Sequence, residues 1–197
     1  MMVPFEGSFP RRGSVPNKDY GGGRSQFITR KPKLNDDDET LTAYHEAGHV
    51  VVGYLLGAQI EEVRLDSMID DDLPRRFGDC LVNWGKVDAG CDWQRQCELM
   101  TILAGPVAEM IYRGERLHPA HFGPWQGDWQ QACERSVGVF TSDAQQVRFL
   151  EQLIARLYRR MEDEQWWAAI AAVADELLAH EALEHDDVAT TVAFWLG

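Results

Sequence analysis

His45, Glu46 and His49 stand in the order His-Glu-x-x-His inside an apolar run that includes Leu41, Tyr44, Val51, Val52, Leu55 and Leu56. On an α-helix, residues four apart lie one turn apart on the same face. The two imidazoles could therefore share one tetrahedral Zn²⁺ at ~2.1 Å. Glu46 falls about 100° around the helix from His45, close enough to reach a water on that metal without ligating it. The chemistry open to such a trio is hydrolysis. A bound zinc brings the pKa of its water toward about 7, and a neighbouring carboxylate acts as general base and then passes the proton to the leaving group.

A catalytic zinc needs a third protein ligand and an open position. The metzincin extension would put a glycine three residues and a histidine six residues after the second His. Val52 and Leu55 occupy those places and exclude it. Glu61 and Glu62 come too soon and fall on a strand pattern, and Glu98 is central in a different helix. Three side chains remain. Asp128 lies 79 residues after His49 (128 − 49) at a helix start, where a fixed turn holds a short side chain, and His118 and His121 flank Pro119 in a loop. Glu109 has two readings, a partner that orients a ligating imidazole or a solvent-facing acid.

The pattern predicts a mainly α fold with a small β-hairpin or sheet near the site. A helix is expected over about 38–57, with Asp36 and Glu39 as a capping box. A strand is expected at 60–65, a loop over 66–76 and a second strand at 79–84. Such a hairpin is either purely structural or lends an edge to a peptide by strand addition. A helix follows over 93–113, with a kink or break at Gly105-Pro106, then a loop over 114–127. Further helices are expected at 128–140, 142–161, 163–179 and 186–195. Trp125, Trp129, Trp166 and Trp167 suit core packing more than a partner surface. Residues 1–34, rich in Gly, Pro, Ser and Arg, read as a flexible arm, and 35–197 as one domain.

Thirty-two acids against 19 bases give a net charge of −13, which argues against nucleic acid or an anionic membrane as partner. The four cysteines form no Cys-x-x-Cys pair and read as reduced thiols. No apolar run is long enough to span a bilayer, and residues 1–26 lack the apolar stretch of a secretory signal. A cytoplasmic location is expected.

Three segments, in order, resemble the peptidase domain of the FtsH-type ATP-dependent zinc metalloproteases. They are His45-Glu46-Ala47-Gly48-His49 with its Val/Gly/Leu continuation, Leu103-Ala104-Gly105-Pro106-Val107-Ala108-Glu109, and Gly127-Asp128-Trp129-Gln130-Gln131-Ala132. The last is similar to the family's Asn-Asp-Leu-x-x-Ala segment, whose aspartate is the third zinc ligand. The segments from Leu157-Tyr158 through Ala182-Leu183-Glu184 to Asp187-Val188 are similar to its C-terminal helices. The resemblance covers roughly residues 38–195. Pro106 departs from the family's Arg, Gly127 from its Asn and Trp129 from its Leu.

The resemblance implies a zinc metalloendopeptidase with one Zn²⁺ per chain, held by His45, His49 and Asp128, and with Glu46 as the base. The chain has no Gly-x-x-x-x-Gly-Lys-[Ser/Thr] phosphate loop, so ATP-driven unfolding does not carry over. The expected substrates are peptides or already unfolded proteins. The alternatives are a non-catalytic, zinc-stabilised peptide- or protein-interaction module, or a proteolytic subunit that works with a separate ATPase. Hexamer formation, which in the family rests largely on the ATPase part, does not carry over.

Overall fold

The computed structural model describes residues 38–65, 78–85 and 91–197. The expected arm over 1–34, the Asp36 end of the capping box and the loop 66–76 lie outside the described residues. Six helices and one small sheet make up the described chain, a mainly α architecture.

The helix α1 (Asp38–Leu55) is the axis of the fold. It buries apolar side chains on several faces (Ala43, Ala47, Val50, Val51, Val52), as a helix surrounded by others must. It ends two residues earlier than expected, and Gly57 takes a positive φ of 95° to turn the chain into the strand β1 (Gln59–Leu65). The second strand, β2 (Gly78–Asn83), runs antiparallel to β1 in the register Val63↔Cys80 and Arg64↔Asp79, with a bulge between Ile60 and Glu62.

The long helix α2 (Asp92–Arg113) packs along α1 and ends on Gly114 in the left-handed conformation. The expected interruption at Gly105-Pro106 does not break it. A proline inside a helix costs about 3 kcal/mol. That loss is offset here by burial of every residue from Thr101 to Met110. Gly48 of α1 explains how close the two helices come. A Cβ there would lie 2.6 Å from the carbonyl oxygen of Ala104 and 2.7 Å from the Ala108 Cβ.

The segment expected to be a plain loop contains two 3-10 turns, Pro119–His121 and Gly123–Trp125. They lead into the helix α3 (Gln126–Arg135), which is shorter than the 128–140 expected. Its end is local chemistry. The Ser136 hydroxyl donates back to the Ala132 carbonyl at 2.7 Å, and Gly138 adopts φ 78°.

The helices α4 (Asp143–Met161) and α5 (Glu164–His180) start where the sequence predicts, each on an N-cap side chain, Ser142 and Asp163. A two-residue strand, β3 (Ala182–Leu183), then pairs with β1, so the sheet order is β2-β1-β3. Two residues are too few to leave an alternating pattern, and this strand was not anticipated. The last helix, α6 (His185–Leu196), opens on a capping box made by Glu184 and Asp187. Leu150, Leu153 and Leu157 of α4 and Ile170, Val173 and Leu177 of α5 complete the core with the buried faces of α1 and α2. No described helix is long and apolar enough to cross a membrane.

Candidate metal centre

His45 and His49 project from one face of α1, and Asp128 meets them from the first turn of α3. The Nε2 of His45 lies 3.1 Å from Asp128 Oδ2, and the Nε2 of His49 lies 3.6 Å from Asp128 Oδ1. All three ligand atoms fall within 4.8 Å of one another, close enough to hold a metal ion. Bonds of ~2.1 Å at tetrahedral angles place donors about 3.4 Å apart, and the two His–Asp separations, each to a different oxygen of the carboxylate, lie close to that length. The donor set of two imidazoles and one carboxylate therefore fits a divalent metal in both chemistry and spacing.

The far side of each imidazole is fixed as well. His49 Nδ1 lies 2.8 Å from the backbone carbonyl oxygen of Thr101. His45 Nδ1 lies 3.3 Å from Glu109 Oε2. A carbonyl or carboxylate at Nδ1 demands an N–H there, which leaves the Nε2 lone pairs toward the metal position. Of the two readings of Glu109, the structure selects the orienting one, since the side chain is only 1% exposed. Two donors hold it. The buried indole of Trp125 donates to Oε2 at 2.7 Å, and Arg113, one turn further along α2, donates its Nε–H to Oε1 at 2.7 Å.

Electrostatics follow from this packing. Burial opposes the imidazolium of His45, but Asp128 and Glu109 outweigh it and raise its pKa to about 10 in the metal-free protein. Burial works against the ionised form of Asp128 too, and the hydrogen bond from His45 with the charges of both imidazoles holds it below the usual carboxylate range. Burial raises Glu46 above its ordinary value, only partly countered by the two histidines. A carboxyl shifted upward is a better proton acceptor.

Glu46 is roofed by the start of β2. A Cβ on Gly78 would lie 2.5 Å from Glu46 Cγ. Two positions along β2, the Cys80 thiol is hydrogen-bonded to the Glu46 carboxylate, and burial with that neighbouring charge pushes the thiol well above its usual range. All four cysteines are free. The site opens into a cleft of about 950 Å³ between α1, α2, α3 and β2.

His118 and His121 do not join the ligand group. His118 accepts the Ala120 N–H, stacks edge-on against Trp129 at 4.8 Å and lies 3.6 Å from Glu151 of α4. Trp125 and Trp166 are buried in the interior, and Trp129 and Trp167 are partly buried against it. Sequence reasoning missed Cys80, Trp125, Arg113 and the carbonyl of Thr101. Only Arg113 left a local signal, its spacing of four from Glu109 on one helix. Comparison with known protein families and with curated proteins finds no match for this chain.

Proposed function

We propose that this protein is a zinc-dependent metalloendopeptidase, akin to the peptidase domain of the FtsH-type family, that hydrolyses peptide bonds in peptides or unfolded proteins. The observation that carries this reading is the meeting of three donors from two distant helices beside a buried carboxyl that ligates nothing. His45, His49 and Asp128 lie within ligand distance of one another, and Glu46 sits on the turn between the two histidines. A structural metal site has no use for that fourth group.

His45, His49 and Asp128 would hold the zinc, which when bound acidifies water and polarises a carbonyl. The chain's own groups supply the rest. Glu109 and the Thr101 carbonyl keep both imidazoles in the tautomer that exposes Nε2. Glu46, raised by burial, takes the proton of the attacking water and delivers it to the leaving amine. β2 pairs on one side with β1 and lines the cleft with Gly78, Cys80 and Val82. Its other edge, unpaired among the described residues, would offer backbone groups to an extended substrate.

The test is metal content of wild type, Glu46→Gln and Asp128→Ala, with casein hydrolysis on the same samples. One zinc per chain in wild type and Glu46→Gln, with cleavage in wild type alone, is the expected outcome. Undiminished hydrolysis by Glu46→Gln would reject the mechanism. Zinc without cleavage in wild type would leave a zinc-stabilised binding module or a subunit that needs a separate ATPase.

A further inference from the structure

The helix α1 fixes Glu46 only at its backbone. Rotatable bonds separate the carboxyl from the helix, and a long side chain has rotamer freedom to lose before it settles in one pose. A general base must nevertheless lie within hydrogen-bond reach of the proton that it takes. A second element has to meet that requirement.

That element is β2. Gly78, Cys80 and Val82 alternate along the strand and share the face that lines the cleft. Gly78 leaves a trough for the glutamate side chain. A Cβ on this residue would lie 2.5 Å from both Cγ and Oε1 of Glu46 and 2.8 Å from its Cδ. Two residues on, the Cys80 thiol is hydrogen-bonded to the carboxylate, and no other side chain among the described residues is hydrogen-bonded to Glu46.

The strand is itself seated at both ends of this contact. Val82 packs where α1 has only a glycine, since a Cβ on Gly53 would lie 3.3 Å from Val82 Cγ1. Along the paired edge, Cys80 stands opposite Val63 and Gly78 opposite Leu65 of β1, and both partners are buried in the core. Val63 pairs in turn with Leu183 of β3. The thiol therefore projects from a strand that the sheet holds on one side and α1 on the other.

We infer that Gly78 and Cys80 are positioning residues for the base, which hold the Glu46 carboxyl in one pose beside the metal position. A carboxylate has about four acceptor sites. The thiol occupies one and leaves the others to meet water. A cysteine that merely filled space would be replaceable by alanine without effect on turnover. A positioning thiol is replaceable by a hydroxyl and not by a methyl group.

The catalytic side of this inference rests on the peptidase reading, and infrared spectroscopy of the thiol separates the two. In zinc-loaded protein the S–H stretching band of Cys80 is assigned by its absence in Cys80→Ser. It is expected to lie at lower frequency in wild type and to move up in Glu46→Ala, with no need for cleavage. On labelled casein, Cys80→Ala is expected to lower kcat about tenfold with KM and zinc content unchanged. Cys80→Ser keeps a donor and is expected to recover most of that loss. Gly78→Ala displaces the Glu46 side chain and is expected to lower kcat about 100-fold. Zinc content and circular dichroism report the folding of each variant, and if Gly78→Ala does not fold, the two Cys80 variants decide. A Cys80 band unmoved by Glu46→Ala overturns the inference. Undiminished kcat in folded Cys80→Ala does so too, as does an equal loss in Cys80→Ala and Cys80→Ser. A band that moves, with no cleavage by wild type, sustains the hold on Glu46 and removes the peptidase.

Discussion

Gly105 leaves the space that His49 occupies. A Cβ built on this glycine would lie 2.2 Å from His49 Nε2, the nitrogen that faces Asp128. The atom is on a buried ring whose other nitrogen is already held by Thr101, so the imidazole has no alternative pose. Gly105→Ala is therefore expected to abolish metal binding, although alanine is the better helix former by about 1 kcal/mol. Metal analysis of the dialysed variant checks this. A full complement of metal would mean that the two helices can part at no cost.

Glu109 and its donors should act on metal affinity. Removing an outer partner of a ligating histidine weakens metal binding by about 10- to 100-fold. Glu109→Gln and Trp125→Phe are both expected in that range, by chelator competition. The Trp125 change leaves Glu109 in place with one donor fewer, so its effect should be the smaller. No change in either would confine the network to packing.

Metal affinity should rise with pH. In the metal-free protein His45 keeps its proton up to about 10, and that proton must leave before Nε2 can ligate. Apparent affinity is expected to gain about tenfold per pH unit below that point. Competition with a chelator of known pH dependence, run from pH 6.5 to 8.5, measures it, and a flat profile contradicts the proton competition. A group raised in the fold stabilises it at pH values below its unfolded value near 6.5. The metal-free protein should therefore lose this contribution as pH climbs through about 10.

The helix caps test the scaffold apart from the site. Asp163 accepts the N–H groups of Gln165 and Trp166 at the start of α5. Asp163→Ala should cost about 1 kcal/mol, seen as a lower Tm, with metal content unchanged. Loss of metal in this variant would mean that α5 governs the site through α1.

The elements closest to the chemistry were the most legible. His45, Glu46 and His49 could be placed because four-residue spacing on one helix is a purely local fact. The helices α4 and α5 were placed to within a residue of their observed starts, where Ser142 and Asp163 prove to be the caps. Asp128 could be ranked by its helix-start position and by resemblance, but its approach to the two imidazoles depends on how α3 packs against α2, a tertiary fact. The same holds for the Trp125 indole, brought to Glu109 by a turn 16 residues downstream. Pro106 does not break α2, because its local penalty is set against the burial of the helix on both sides of it. β3 was invisible because its two residues are a strand only by virtue of pairing with β1.

Of α3, Ala132 alone is fully buried, with Trp129 and Cys133 partly buried against the core. Its first turn is fastened by the grip of Asp128 on two imidazoles that lie 79 and 83 residues earlier in the chain (128 − 49 and 128 − 45). A metal ion held at that point would add a second link across a long loop, and its removal would return the closure entropy to the chain. α3 is thus the segment where amide exchange should first quicken when the metal is stripped. Loading the metal and closing the front wall of the cleft would then be a single event.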